Sequence, residues 1–284
     1  MQITRDEALE RVVLDGMAAS YGTGGRPEIH LSDLLNPRWA YWQRVKPLPA
    51  TDAEVQYFMA GRGHEDVFGR LTGFTRGEPR TVMGISYRPD FHSDPVEGLP
   101  RPCEFKTRRR NLAPDERVAS DYSIYWEQLK GYVALEHTLC PEITSGDLIV
   151  FSLVEKQQDG KTKPDLRCYT ATWEPDELGI EAERLASRRA ALDAALIGDA
   201  THEHLPLCWP FKCGRTERTM ARKPRCVTCS RDFEGEWGAQ KHLDSRTGKG
   251  HAMQPAEWTA TYVPQCRWYA DCQPWLVDPA RQTR

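Results

Sequence analysis

The chain has 284 residues, with 38 lysines and arginines against 41 aspartates and glutamates, for a formal net charge of −3. That length suits one large domain or two small ones, and the near-balance of charge excludes a generic polycation coating nucleic acid while leaving room for a local basic groove. No apolar run approaches the roughly 18 residues a membrane span needs, and the opening MQITRDEALERVV lacks the basic start, apolar core and cleavage site of a secretory signal, so a cytoplasmic protein with no membrane partner is expected.

Residues 1–60 read as a helix, a glycine-rich break at YGTGGRPE (21–28) and a second helical run that Ser32 or Asp33 would cap. Apolar residues at Val55, Phe58, Met59, Val67, Phe68 and Leu71 predict a helix over 52–71. Strands are expected at 81–87 and 102–107, and a helix at 123–135. DLIVFSLVE (147–155) and LRCYTATW (166–173) form a strand pair joined by a polar turn, and 177–197 is rich in helix formers. Beyond Thr201 the chain turns to His, Cys, Pro and aromatic residues with little periodicity, a tail that needs a metal staple to fold. The domain boundary is therefore drawn near residue 200.

The nine cysteines are unevenly spread. Cys103, Cys140 and Cys168 are scattered and read as small buried apolar residues. The others crowd the last third, where clustering in a cytosolic chain favours metal over disulfides.

Four short pieces recur in a telling order: GRGHE (61–65) on a helix, RPD (88–90) after a strand, EFK (104–106) in the next strand and QLKGY (128–132) on a helix. Strand residues two apart face the same side, so Glu104 and Lys106 project together while Phe105 turns into the core. Asp90 from a neighbouring strand completes an oxygen-rich site for a hard divalent cation, and His64 adds a nitrogen ligand that admits manganese as well as magnesium. Gln128 and Tyr132, four apart, share a helix face and would orient a phosphate or the lysine.

At these residues the chain resembles the RecB-like branch of the PD-(D/E)xK nuclease superfamily, in particular the CRISPR-associated and phage-encoded exonucleases that commonly carry an iron–sulfur cluster. The resemblance spans 31–178 and, more loosely, the cysteine tail. It is carried by LSDLLNPRWAYW, GRGHE, MGISYRPD, CEFKT and YWEQLKGY in that order. It implies an α/β, restriction-endonuclease-like core over residues 1–200, with a mixed central sheet flanked by helices and a metal-stapled Cys/His-rich region over 201–284. It also implies roles: His64, Asp90, Glu104 and the Phe105 carbonyl as ligands of magnesium or manganese, Lys106 as the water-orienting residue, Gln128 and Tyr132 as supports. Glu65, next to His64, is expected to point elsewhere on its helix. The implied chemistry is phosphodiester hydrolysis with in-line attack by water.

Arg108, Arg109 and Arg110 follow the site directly and are candidates to track a nucleic-acid backbone without reading sequence. So are Arg222, Lys223 and Arg225, at the end of a second basic run, GRTERTMARKPR.

In the tail, Cys226, Cys229, His242 and His251 resemble a two-cysteine, two-histidine zinc finger inserted at 226–251, although the gap to His251 exceeds the usual three to five residues. Cys208, Cys213, Cys266 and Cys272 would provide four thiolates for a four-iron, four-sulfur cluster or a second zinc. Two departures bear on the cluster: Asn36 stands where the iron–sulfur exonucleases place an N-terminal cysteine, and Tyr269 where they place another. Pairing between the two sets, such as Cys213 with Cys226 and Cys229, stays open.

The expected function is metal-dependent DNA cleavage, and the resemblance makes it exonucleolytic on single strands or ends, alone or within a recombination, replication, integration or CRISPR-type complex. The alternatives are a non-catalytic subunit that binds DNA ends for such a complex, and an RNA-directed role through the finger.

Overall fold

The computed structural model describes residues 7–21, 27–93, 99–108, 111–156, 162–206, 208, 214–226, 228–229, 232, 239–240, 242–243, 252–255, 257–264, 266–268 and 272. The chain divides into two compact units, Met1–Leu207 and Cys208–Arg284.

Four helices open the first unit: α1 (Glu7–Tyr21), α2 (Leu31–Leu35), α3 (Pro37–Val45) and α4 (Asp52–Thr72). Helix α2 is capped by His30 rather than by Ser32 or Asp33. The His30 ring accepts from the Ser32 amide, and Asp33 returns a carboxylate oxygen to the His30 amide at 2.9 Å. Helix α4 starts the same way, with Thr51 and Glu54 exchanging bonds of 3.2 and 2.7 Å. Each such cap contributes about 1 kcal/mol. Buried Arg38 of α3 donates to the carbonyls of Leu205 and Glu203 at 2.9 and 2.8 Å, tying the start of the unit to its end.

Next come β1 (Thr75–Arg76), β2 (Arg80–Val82), β3 (Ile85–Tyr87), β4 (Phe91–Ser93) and β5 (Arg101–Arg108). The strand expected over 81–87 is a hairpin instead, because Met83 and Gly84 take positive φ values of 51° and 71° and turn the chain between β2 and β3. After the short helix α5 (Val118–Asp121) come α6 (Ser123–Leu139), β6 (Ser145–Lys156), β7 (Thr162–Thr172) and α7 (Pro175–Ile197). The main sheet runs β1-β4-β5-β6-β7. Its β5–β6 pair is parallel, with α6 in the crossover, and its other pairs are antiparallel. The sheet is therefore mixed, with helices against it.

Alternation along β5 divides the core. Cys103 and Phe105 face a cluster with Phe91 and Ile149, covered by Phe68 of α4 and by Phe74. The other face meets α6, where Leu129, Tyr132 and Leu135 pack with Leu148, Val150 and residues of α2, β3 and α7. Burying one such large side chain contributes about 1.5–3 kcal/mol. Gly131 of α6 lets α2 approach, since a Cβ there would lie 2.9 Å from Leu31 Cδ1. Of the scattered cysteines, Cys103 alone is a core residue. Cys140 ends α6 half-buried, donating to Glu142 at 3.0 Å, and Cys168 is exposed on β7, an outer strand of the sheet.

In the second unit β8 (Gly214–Arg222) pairs antiparallel with β11 (Glu257–Pro264), and β9 (Arg225–Cys226) with β10 (Met253–Gln254).

Candidate active site

The antiparallel register sets Phe91 opposite Cys103, so Asp90, just before β4, reaches the level of Glu104 on β5. Backbone bonds fix it there: the Asp90 amide donates to the Cys103 carbonyl at 3.1 Å, and the Gly77 amide to the Asp90 carbonyl at 3.4 Å. The Phe105 amide donates to Asp90 Oδ2 at 2.8 Å, leaving Oδ1 for another partner. Glu104 is fully buried and ion-paired through Oε1 with Lys106, whose side chain keeps 27% exposure. Glu104 Oε2 is buried with no hydrogen-bond partner among the described residues. On α6 the Gln128 amide donates to the Tyr132 hydroxyl at 2.9 Å.

From α4 the structure brings in Glu65, the residue expected to point elsewhere. Its carboxyl is pushed up to about 7, first by burial and then by the charge of Asp90, with Lys106, Arg76 and Arg88 opposing. Glu65 therefore shares the field of Asp90 and Lys106. A short polar stretch on a 3.6-residue helix gave no way to decide which of two adjacent residues faces the sheet. His64 has its Nδ1 2.6 Å from the Ala60 carbonyl one turn back, and its ring packs near Phe151. Since a carbonyl can only accept, Nδ1 carries the proton and Nε2 the lone pair that could ligate a metal.

The remaining shifts describe one electrostatic unit. Glu104 is pushed up to about 8 by burial, then by Asp90, with Glu65 adding and Lys106 opposing. Burial disfavours the Lys106 charge, but Glu104, Asp90 and Glu65 outweigh it and raise its pKa. Tyr132 is raised by burial and then by the charges of Glu104 and Asp90, so its hydroxyl stays protonated. Three carboxyl groups act on one ammonium, and one buried carboxylate oxygen lacks a partner among the described residues. This donor set fits a hard divalent cation, whose charge would lower the acid pKa values at once.

Arg108 does not simply reach outward: its guanidinium lies 4.9 Å from the Tyr122 ring centroid, and the Tyr122 hydroxyl accepts from the Ala113 amide at 2.8 Å. Lys106 Nζ lies 5.8 Å from the Tyr125 ring. Lys223 and Arg225 are exposed, Arg225 with an ion pair to Asp232 at 3.8 Å, and Arg222 lies on β8 opposite Glu257. Arg109, Arg110, Cys213 and His251 fall outside the described residues.

In the second unit Cys226, Cys229 and His242 bring their ligand atoms within 4.8 Å of one another and could hold a metal ion. Cys229 Sγ and His242 Nε2 are 3.5 Å apart, and Cys226 is fully buried at the end of β9. Cys208 and Cys272 are buried and Cys266 half-buried. Among the described residues they do not join a group of three within that distance.

No protein-family model matches the chain, and no curated protein matches it in sequence. Two solved structures are similar in fold. One is the protein SSO0001, at 16% identity and TM-score 0.39, over 63% of this chain and 86% of that one. The other is a phage-related exonuclease from Haemophilus somnus 129PT, at 12% identity and TM-score 0.41, over 61% of this chain and 96% of that one. Both likenesses are low, and the functional reading rests on the geometry of the site.

Proposed function

We propose that the first unit is a PD-(D/E)xK-type nuclease that hydrolyses DNA phosphodiesters with magnesium or manganese, as an exonuclease on single strands or ends. The observation that carries this reading is the meeting of Glu65, Asp90 and Glu104 around Lys106, with a buried Glu104 oxygen that no described residue satisfies. A purely structural ion pair does not require three carboxyl groups beside a single ammonium.

In this reading Asp90, Glu104 and Glu65 hold the cation, with His64 Nε2 and the Phe105 carbonyl as further donors. When bound, the cation polarises the phosphoryl group and lowers the pKa of a bound water. Lys106, already paired with Glu104, orients the attacking water and offsets charge that develops on the phosphate. Tyr132 stays protonated and, with its hydroxyl accepting from Gln128, supports the site beside Glu104 and Asp90. The Arg108–Tyr122 stack at the end of β5 gives a fixed positive charge for a backbone phosphate. Zinc at Cys226, Cys229 and His242, with His251 as the fourth donor, would staple the second unit. The four-cysteine set of Cys208, Cys213, Cys266 and Cys272 would take an iron–sulfur cluster or a second zinc.

The test is to incubate end-labelled single-stranded, double-stranded and circular DNA with the purified chain and manganese, with Glu104→Ala alongside. Loss of linear but not circular DNA, absent in the variant, is expected. Equal digestion by the variant would overturn the site assignment, and cleavage of circles would replace exonuclease with endonuclease.

A further inference from the structure

One helical turn beyond Tyr132 on α6, Glu136 is only 1% exposed although it carries a carboxylate. Gln128, Tyr132 and Glu136 are spaced four apart, so they follow one another along a single face of the helix. Glu136 is ion-paired with Arg80 of β2, and its Oε1 lies 3.6 Å from Nε2 of His92 on β4. The Tyr87 hydroxyl, at the end of β3, is raised in pKa by burial and then by the Glu136 charge, with Arg80 opposing. The Tyr87 ring in turn lies 6.4 Å from that of Tyr132. A single buried carboxylate on α6 thus pairs with β2 and faces β4, and its contact on β4 is two residues from Asp90.

Packing alone does not require an acid at this position. A buried ion pair is often no more stabilising than apolar side chains of the same volume. What a carboxylate adds is direction: the Arg80 guanidinium pairs with one oxygen, while the other, which no described residue hydrogen-bonds, faces the His92 imidazole at 3.6 Å. Direction matters for β4, which has three residues and directly follows Asp90. One Asp90 oxygen is already committed to the Phe105 amide, so a small rotation of β4 would misplace the other.

We infer that Glu136 is a positioning residue: through His92 and strand β4 it holds the Asp90 carboxylate in its cation-binding orientation. This inference rests on the reading of the site proposed above.

The experiment is to titrate manganese into the full chain by electron paramagnetic resonance, counting only the binding that Glu104→Gln abolishes. Wild type is compared with Glu136→Gln, Glu136→Leu and His92→Gln, the last of which keeps the Arg80–Glu136 pair should the others fail to fold. Hydrogen exchange at the Asp90 and Phe105 amides is followed in the metal-free protein. Each folded variant is expected to bind manganese about 10-fold more weakly, to exchange those amides faster and to regain wild-type turnover at saturating metal. Wild-type affinity in folded Glu136→Leu or His92→Gln would overturn the inference while leaving the nuclease reading intact. If wild type shows no Glu104-dependent manganese binding at all, the nuclease reading fails and takes this inference with it.

Discussion

Glu104 shows how one buried residue couples stability to chemistry. Its ordinary carboxyl pKa of 4.5 rises to about 8 on folding, and that of Glu65 to about 7. A carboxyl raised by folding binds more protons in the native than in the unfolded state, so its stabilisation is complete below the unfolded value and is lost as pH climbs through the folded one. Metal-free protein is therefore expected to melt at progressively lower temperature from about pH 4.5 to about pH 8, and Glu104→Gln should flatten that slope. Cation binding displaces the same protons, so apparent manganese affinity should rise with pH through about 7 to 8; calorimetry at several pH values would read both trends. Lys106→Met removes the ammonium that opposes the rise of the Glu104 carboxyl, so the loss of stability with pH should extend to higher pH than in wild type, measured by denaturant titration at several pH values. At this scale the sequence was partly legible. Glu104 with Lys106, and Gln128 with Tyr132, could be paired because strand alternation and i, i+4 spacing fix which residues share a face; Asp90 was joined to them through the resemblance. Glu65 could not be placed, because the register of α4 is set by Phe68 docking on Phe91 and Phe105, a tertiary contact that no local pattern encodes.

Helix α4 is also where an element depends on few contacts, since Val55 is its only buried residue among those described. Phe68, with ring centroids 4.7 Å from Phe105 and 5.5 Å from Phe91, is what seats it on the sheet. Phe68→Ala is expected to destabilise the first unit by about 2 kcal/mol, less than for a fully buried aromatic because Phe68 is only partly buried, and to weaken manganese binding because Glu65 lies on the same helix; a thermal melt and a metal titration would check the two effects separately. The β2–β3 hairpin makes a second case. Gly84 has φ of 71°, and a Cβ there would collide with the Arg189 guanidinium, which itself donates to the Met83 carbonyl at 3.1 Å. Gly84→Val should cost about 1–3 kcal/mol in chemical denaturation. The long helices and the β6–β7 pair were legible because their periodic patterns run for many residues. Strands β1 and β4 were not, having two and three residues each, too few for alternation to register against chance. The hairpin was read as one strand because Met-Gly is a weaker turn signal than Asn-Gly or Asp-Gly.

At the scale of the whole chain, two units divide the work of folding differently. The first has an extended apolar core, whereas among the described residues of the second Cys226 packs with Ala239, and Cys208, Trp268 and Cys272 are also buried. With a metal at Cys226, Cys229 and His242, as proposed above, the second unit would draw part of its folding energy from those ligands. A strong chelator, or Cys226→Ser, is expected to abolish the melting transition of the second unit while shifting that of the first by less than about 2 °C; calorimetry with metal analysis would test this. The change of character near residue 200 was visible as a loss of periodicity, and the grouping of Cys226, Cys229 and His242 as a finger-like spacing; the pairing of Cys208, Cys213, Cys266 and Cys272 was not, because thiol pairing across a loop is set by three-dimensional proximity rather than by spacing. The measurement that bears most directly on the central claim is the manganese dependence of linear DNA cleavage by wild type and by folded Glu104→Gln. Cleavage that requires the cation in wild type, and falls below about one-hundredth in the variant, is predicted. Cleavage by Glu104→Gln at the wild-type rate, or by wild type at full rate in excess chelator, would contradict it.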